Sequence, residues 1–295
     1  MDDPSVVALV LNWNNWEDTI QCIRSLKEQE YGDLNIIVID NGSSDDSLSH
    51  LQQIDNIDLV RNTANLGFAG GMNRGIETAL DYSPKYICVV NNDSFTVHSD
   101  TINSLVVCAE NNDDVGIVSP IIKDGSGSKI WFEQGAINWS SATTYHKTVD
   151  QDRGLIYNEY IPMCFSLIRP EIFEEIGYFD EDYFLYYEDV DFCTRAKQRG
   201  WELATYLDTE VRHQGTASTS GEYGETMSYY QTRNKILFHK KHIGDLDASF
   251  HLLLLYWLAG RTFARIIRLN LGSIYALFRG VYDGMNGLTG KGPYP

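Results

Sequence analysis

The sequence predicts an α/β fold: a Rossmann-like, mostly parallel sheet with helices on both faces, followed by C-terminal amphipathic helices. Strand-like apolar runs alternate with helical segments over the first hundred residues, which is the pattern of a doubly wound sheet. The chain has 295 residues, 43% of them hydrophobic and 22% charged. This composition is typical of a globular protein with a sizeable core.

Four continuous apolar runs predict strands that are buried on both faces, over residues 6–13, 35–40, 57–61 and 86–90. Segments with apolar residues at helical spacing lie between them and predict helices over 16–30, 44–54 and 69–82. Beyond residue 100 the pattern is mixed. It predicts strands over 115–122, 160–168 and 202–206, a hairpin over 130–148, and helices over 170–176 and 188–199 that end at Gly177 and Gly200.

The charge is distributed unevenly. The net charge is −18, which excludes nucleic acid as a general partner. Residues 233–295 hold nine Lys or Arg against three Asp or Glu, a balance of +6, so residues 1–232 carry −24. Five cysteines, Cys22, Cys88, Cys108, Cys164 and Cys193, form neither a disulfide framework nor a zinc motif. With no secretory signal at the start, we expect a cytoplasmic protein.

The C-terminal tail combines apolar and basic residues. Residues 250–259 are nearly all apolar, but this run is half of the ~20 residues needed to span a bilayer. Arg261, Arg265 and Arg268 then recur among apolar residues, which is typical of a helix lying in a membrane interface. The alternative is a helix that packs on the body of the protein or in a homodimer.

Polar side chains follow three of the predicted strands. They are Asn12, Trp13 and Asn14 after the first, Asp40 and Asn41 after the second, and Asn91, Asn92 and Asp93 after the fourth. In open α/β sheets, ligands bind beyond the carboxyl ends of the strands. We therefore expect all three clusters to converge on one crevice, although any one of them alone could be a helix cap or a turn.

Several of these residues have the chemistry to bind a nucleotide. Asp40 can accept hydrogen bonds from a ribose hydroxyl or a base N–H. The glycine-rich stretch 65–75, which includes Gly70, opens a helix and would let a diphosphate approach the backbone. It matches neither the dinucleotide fingerprint nor the P-loop, which disfavours dehydrogenases and P-loop enzymes. Asp93 could hold Mg²⁺ or Mn²⁺ together with the phosphates of a donor and so neutralise a departing diphosphate.

Two further positions carry potential catalytic groups. Glu188, Asp189 and Asp191 start a helix directly after an aromatic run, where a carboxylate could act as a general base. Acidic residues also favour a helix N-terminus for purely electrostatic reasons. His213 could be a metal ligand or a base, or simply a histidine in a loop.

The segments LNWNNWEDTIQCIRSL, VIDNGSSDDS, NLGFAGGMNRGI, VVNND, GYFDEDYFLYYEDVDFCTRAKQRGW, RHQGTAS and YYQTRNKILF, in this order, resemble glycosyltransferase family 2. Within that family the chain is similar to the rhamnosyltransferase-like branch that builds bacterial and archaeal cell-surface glycans. The resemblance covers about residues 6–242. It implies a GT-A fold with an inverting, single-displacement transfer, a nucleotide-binding half over 1–99 and an acceptor-binding half over 100–243. Residues 244–295 then form a helical tail.

The resemblance also implies roles for individual residues. Asp93 corresponds to the last position of the Asp-x-Asp motif and would bind the metal with His213, while Asn91 stands at the first position. Asp189 corresponds to the catalytic base, with Glu188 and Asp191 holding the acceptor or orienting that base. Donor contacts would come from Asp40 at the base or ribose, and from Asn12, Asn14, Asn65 and Asn73.

The branch favours dTDP-rhamnose as donor, with UDP-sugars, including UDP-galactofuranose, as alternatives, and a glycan or lipid-linked acceptor. The cofactor would be Mg²⁺ or Mn²⁺, and the protein would work in the cytoplasm, at the inner face of the membrane. Two other functions remain open. A sugar nucleotidyltransferase would carry a glycine-rich basic loop where this chain has Asn12, Trp13 and Asn14. The other is a non-catalytic nucleotide- or glycan-binding module of the same fold.

Overall fold

The computed structural model describes residues 3–151, 153–215 and 223–295. The first part alternates strands and helices as the sequence predicts, and the apolar runs of β1, β2 and β4 are buried on both faces. The run over 57–61 differs, because β3 is the edge strand of the sheet and is only partly buried. Its elements are β1 Val6–Asn12, α1 Trp16–Lys27, β2 Leu34–Asp40, α2 Ser47–Leu51, β3 Asp58–Arg61, α3 Gly67–Leu80 and β4 Tyr86–Asn91.

The second part is built from shorter strands and longer helices. The strands are β5 Ser94–Thr96, β6 Val115–Asp124, β7 Ile130–Phe132, β8 Gln134–Asn138, β9 Thr143–Lys147, β10 Leu155–Tyr157, β11 Phe165–Ile168 and β12 Glu202–His213. The helices are α4 Thr101–Glu110, α5 Glu171–Ile176, α6 Glu188–Gln198, α7 Glu225–His242, α8 Ala248–Ile267 and α9 Leu271–Met285.

One central sheet organises the fold. Its strand order is β10-β12-β6-β11-β4-β1-β2-β3, with β5 added to β12 and β7 added to β6. Strands β1, β2, β3, β4, β6 and β12 run in the same direction, which confirms the predicted mostly parallel sheet. The chain passes from β1 outward to β2 and β3 and then returns to β4 on the other side of β1. This reversal opens a crevice at the carboxyl ends of β1 and β4.

The structure corrects several predicted bounds. The strand predicted over 160–168 is only β11, and it lies antiparallel between β4 and β6. The strand predicted over 202–206 extends as β12 to His213, passing a register shift between Tyr206 and Glu210. The helix predicted over 44–54 is the five-residue α2. The five cysteines are free and buried, as expected.

The tail forms two helices that pack on α7. The predicted apolar run and basic segment are one continuous helix, α8, of 20 residues. By length and composition α8 could cross a membrane. In this structure α8 packs against α7: Arg265 is buried and donates a hydrogen bond to Oγ of Ser228 on α7 at 2.8 Å. In α9, a Cβ added at Gly280 would lie 2.6 Å from the Tyr229 carbonyl oxygen, so this glycine allows α9 to approach α7 closely.

Candidate active site

A cavity of about 570 Å³ lies at the crevice predicted from the strand order. It is bounded by residues that follow β1, β2 and β4, and on the opposite side by the segment that leads into α6. Eight of the predicted site residues line this cavity: Trp13, Asn41, Asn65, Asn92, Asp93, Glu188, Asp189 and His213. Groups from both halves of the chain therefore meet in one cavity.

Six of the predicted site residues do not line it: Asn12, Asn14, Asp40, Gly70, Asn73 and Asp191. Asn12 and Asp40 are buried side by side, and the Asn12 amide donates to Oδ1 of Asp40 at 3.2 Å. The side-chain oxygen of Asn14 accepts from the backbone N–H of Ser44 at 2.7 Å and so fixes a loop. These contacts give the three residues supporting positions behind the cavity wall.

Asn73 and Gly70 lie on α3 and hold that helix in place. The Asn73 amide donates to the Phe179 carbonyl oxygen at 2.9 Å, and its oxygen accepts from the Phe179 N–H at 3.0 Å. A Cβ added at Gly70 would stand 3.0 Å from the Cβ of Leu66, which leaves little room for a larger residue. Asn73 thus joins the first half of the chain to the segment before α6, whereas Gly70 allows close packing at the start of α3.

Asp191 lies in a separate, buried ion cluster. It bonds Arg195 at 2.7 Å, Lys241 at 2.7 Å and His242 at 2.6 Å. Burial alone would raise the pKa of Asp191, but the His242 hydrogen bond and the Arg195 and Lys241 charges lower it to about 2. The carboxylate is therefore ionised and joins α6 to the end of α7. It does not reach the cavity as the acceptor contact that the sequence predicts.

Asp93 and His213 meet beyond the carboxyl end of β4 because the short strand β5 pairs with the end of β12. β5 runs antiparallel to the end of β12, with Ser94 opposite His213. The Gln214 N–H also donates to the Asp93 carbonyl oxygen at 2.9 Å. As a result Nε2 of His213 lies 3.1 Å from Oδ1 of Asp93.

This pair offers one carboxylate oxygen and one imidazole nitrogen to a divalent cation. No group of three His, Cys, Asp or Glu that could hold a metal occurs within residues 3–151, 153–215 and 223–295. The two side chains consequently fit a metal whose other ligands are the diphosphate oxygens of a donor and water. Mg²⁺ and Mn²⁺ both accept such an oxygen-rich set.

Glu188 and Asp189 begin α6 at the cavity wall. Burial raises the pKa of Asp189 to about 6, although the N–H of Val190 donates to its carboxylate at 2.7 Å. Burial and the neighbouring Asp189 charge raise the pKa of Glu188 well above its usual value. Oε2 of Glu188 is buried and finds no hydrogen-bond partner in the described part of the chain. A bound hydroxyl could satisfy it.

The aromatic segment before α6 is strained and is held from two sides. Phe184, Tyr186 and Tyr187 have φ values of 62°, 66° and 74°, a region that is unfavourable for bulky residues. On α7 the Asn234 amide donates to the carbonyl oxygens of Tyr183, Leu185 and Tyr186, at 2.8, 2.8 and 2.7 Å.

The other support comes from α3. The Phe68 N–H, at its first turn, donates to the Phe184 carbonyl oxygen at 2.8 Å. Gly67 has a φ of 75°, and a Cβ there would lie 2.3 Å from the same oxygen, so only glycine allows this contact. The helix and the aromatic segment therefore hold the wall that carries Asp189.

The sequence analysis did not identify several residues that form the cavity wall. Trp131, Thr144, His146 and Tyr160 line the cavity, together with Met227 and Gln231 of α7. The ring of Trp131 lies 5.2 Å from that of His213 and 4.9 Å from that of His146. The available signal was the aromatic and polar composition of 130–148, which predicts a hairpin but not where it folds.

The Asp93–His213 pair and the Glu188–Asp189 pair both lie in the wall of this one cavity. Cys164 lies in the cavity wall, and burial raises the pKa of its thiol. The charges of Asp93 and Asp189 raise it further. Both carboxylates therefore lie within electrostatic reach of the same sulfur atom. One substrate pair could contact both centres at once.

Residues 7–177 match the family model described as Glycosyl transferase family 2. Because this match covers more than half of the chain, the protein belongs to glycosyl transferase family 2. It is therefore a glycosyltransferase.

Three relatives illustrate the similarity. The low-salt glycan biosynthesis hexosyltransferase Agl10 of Haloferax volcanii is 24% identical over 80% of this chain and 75% of its own. The N-acetylglucosaminyl-diphospho-decaprenol L-rhamnosyltransferase of Mycobacterium tuberculosis is 25% identical over 72% and 76%. The dTDP-rhamnosyl transferase RfbF of Shigella flexneri is 21% identical over 98% of both chains.

Solved structures support the GT-A fold. The mannosyltransferase of Pyrobaculum calidifontis, in complex with GDP-Man and Mn²⁺, superposes with a TM-score of 0.63 at 16% identity, covering 96% of this chain and 87% of that one. TarS of S. aureus, in complex with UDP-GlcNAc, superposes with a TM-score of 0.56 at 15% identity, covering 96% and 81%. At these identities the likeness concerns the fold alone.

Proposed function

We propose that this chain transfers a sugar, with rhamnose favoured, from a nucleoside diphosphate to a hydroxyl of a glycan or lipid-linked acceptor, with inversion at the anomeric carbon. One observation carries the proposal: the Asp93–His213 pair and the Asp189 carboxylate open into the same cavity. The preference for dTDP-rhamnose follows the names of the rhamnosyltransferase relatives, and UDP-sugars are the alternative. The transfer would serve the synthesis of cell-surface polysaccharide.

Asp189 acts as the general base. With a pKa of about 6 its carboxylate is ionised at neutral pH, yet it remains basic enough to accept a proton from the attacking hydroxyl. Burial and the Asp189 charge raise the pKa of Glu188 well above its usual value, and in its protonated form this side chain can donate a hydrogen bond to the acceptor. The two adjacent acids thus divide the tasks of accepting a proton and of holding the acceptor.

Asp93 and His213 hold the donor end. A divalent cation bound there would act as a Lewis acid and stabilise the charge that develops on the departing diphosphate. Trp13, Asn41, Asn65 and Asn92 line the same end and would orient the nucleotide and its diphosphate. Holding donor and acceptor in line accounts for much of the expected rate.

The tail would place the enzyme at the inner face of a membrane. The exposed face of α8 and α9 carries large apolar side chains: Leu252, Leu255, Tyr256, Phe263, Ile267, Leu269, Leu271 and Tyr275. The tail is basic, so it suits an anionic leaflet. A homodimer contact over the same face is the alternative.

The test compares Asp189→Asn with the wild type. Turnover should fall roughly 10²- to 10⁴-fold, the usual contribution of a general base. Binding of dTDP-rhamnose or a UDP-sugar with Mn²⁺, measured by thermal shift, should persist because the variant keeps the donor end intact. NMR of the product should show an inverted anomeric configuration. Unchanged turnover, or retention of configuration, would refute the mechanism.

A further inference from the structure

A second groove, of about 500 Å³, lies on the outer side of α7 and α8. Tyr223, Tyr256, Trp257, Gly260 and Arg261 line it. Along α8, residues 257, 261, 264 and 268 form a stripe at helical spacing. This stripe separates the buried positions, such as Leu254 and Leu258, from the exposed apolar ones. The groove is therefore at the border between the protein body and the apolar face.

Two arginines lie against aromatic rings of the groove: Arg261, which lines the groove, and Arg268, which packs on Tyr223 beside it. The Arg261 guanidinium lies 4.9 Å from the Trp257 ring centroid, and the Arg268 guanidinium lies 3.9 Å from that of Tyr223. Neither arginine forms an ion pair with a carboxylate in residues 3–151, 153–215 and 223–295. Two guanidinium groups without a carboxylate between them suit an anionic ligand with several oxygens.

Lys235 connects the groove to the cavity wall, because its Nζ lies 5.2 Å from the ring centroid of Trp257 in the groove. The Tyr187 hydroxyl and the Lys235 ammonium both donate to the Ala142 carbonyl oxygen, at 2.7 and 3.1 Å. Burial raises the pKa of Tyr187, the Arg261 charge lowers it, and the Asp189 charge raises it. Burial and then the Arg261 charge lower the pKa of Lys235 to about 7. Tyr187 lines the cavity, so the shared Ala142 carbonyl oxygen links Lys235, and through it the groove, to the wall that carries the proposed base.

We propose that this groove binds the diphosphate of a lipid-linked acceptor, with Arg261 and Arg268 facing the phosphate oxygens and the lipid chain lying along the exposed face of α8. The inference rests on the proposed function, because it assigns the position of the acceptor whose hydroxyl Asp189 would deprotonate. The acceptor sugar lies beside Tyr187 in the cavity. The diphosphate then reaches the groove, and the apolar chain leaves the protein at Tyr256.

Farnesyl diphosphate is a soluble probe of this site, and its binding to the full chain is measured by calorimetry in EDTA, with and without saturating UDP. Arg261→Gln should weaken binding about tenfold or more through loss of charge-assisted contacts. Gly260→Leu should prevent it, because the new side chain fills the groove. A Cβ at Gly260 meets no atom within 4 Å, and leucine favours a helix more than glycine does, so the fold should persist.

Arg199→Gln is the matched control, since Arg199 is an exposed arginine at the end of α6 and lines neither cavity. It should bind the probe like the wild type. The proposal is overturned if Arg261→Gln and Gly260→Leu bind normally, if farnesol binds as tightly as its diphosphate, or if UDP displaces the probe. Binding to phosphatidylglycerol vesicles without binding to farnesyl diphosphate would also overturn it, by assigning the arginines to general membrane contact.

This experiment involves no sugar transfer, so its result is separable from that of Asp189→Asn. Loss of turnover in Asp189→Asn with normal probe binding in Gly260→Leu would refute the groove alone. Probe binding that depends on Arg261, combined with unchanged turnover in Asp189→Asn, would refute the proposed base alone.

Discussion

Two carboxylates on the first turn of α6 have opposite environments although they are only two residues apart. Asp189 is at the cavity wall, where burial raises its pKa to about 6. Asp191 is held by Arg195, Lys241 and His242, and its pKa is lowered to about 2. Residues i and i+2 lie on different sides of a helix, so one acid can serve chemistry while the other anchors the helix.

The raised pKa of Asp189 makes the rate sensitive to acid. A base must be deprotonated to act, so kcat/KM should be constant above pH 7 and fall about tenfold per unit below pH 6. A pH–rate profile with circular dichroism at each pH checks this. Donor and Mn²⁺ binding by Asp189→Asn over the same range is the control, because a parallel loss there would assign the effect to donor binding and not to the base. A flat rate down to pH 5 would contradict the prediction.

Among the elements, α7 does the most to shape the catalytic wall. Its Asn234 amide donates to three carbonyl oxygens of the segment that leads into α6, and Arg233 donates to the Tyr183 carbonyl oxygen at 2.9 Å. Left-handed backbone at Phe184, Tyr186 and Tyr187 costs roughly 1–3 kcal/mol per residue. The side chains of α7 offset that cost and so fix where Asp189 points.

Replacing Asn234 by aspartate should therefore disrupt both stability and catalysis. The change keeps the shape of the side chain but turns its donor into an acceptor that faces three carbonyl oxygens. We expect a loss of about 2–4 kcal/mol in the free energy of unfolding and a clear fall in kcat. Urea unfolding and steady-state kinetics measure the two effects. Asn286→Asp, at an exposed asparagine after α9, is the matched control. Full activity in Asn234→Asp would show that the segment keeps its shape unaided.

At the level of the whole molecule, the sequence predicts the sheet and the convergence of its strand ends, because the carboxyl ends of parallel strands share one edge. It does not predict which of two adjacent residues at the end of a strand faces the cavity. Successive residues of a strand point to opposite faces, so Asn41 reaches the cavity while Asp40 is buried behind it. Trp131 and His146 could not be placed either, since the fold of a hairpin over a distant strand depends on long-range packing.

The distribution of charge predicts which part of the molecule faces a membrane. Residues 1–232 carry −24, whereas residues 233–295, which comprise most of α7 and the tail, carry +6. An anionic leaflet therefore repels the first part of the chain and attracts its C-terminal part. Tyr256 is 83% exposed and Leu269 is 86% exposed. Burial of each large apolar side chain of this face would contribute roughly 1.5–3 kcal/mol. The attraction between opposite charges and the burial of apolar side chains both favour the orientation in which α8 and α9 face the membrane.

The protein should therefore float with vesicles of phosphatidylglycerol and phosphatidylcholine, less so at high salt because salt screens the basic tail. The double substitution Leu255→Glu with Phe263→Glu should abolish flotation without unfolding the protein, since both side chains are more than 60% exposed, at 63% and 65%. Val107→Glu, on α4 and 47% exposed, is the matched control and should still float. A wild type that stays in solution as a dimer, and becomes monomeric in the double variant, would instead assign this face to a contact between two copies of the chain.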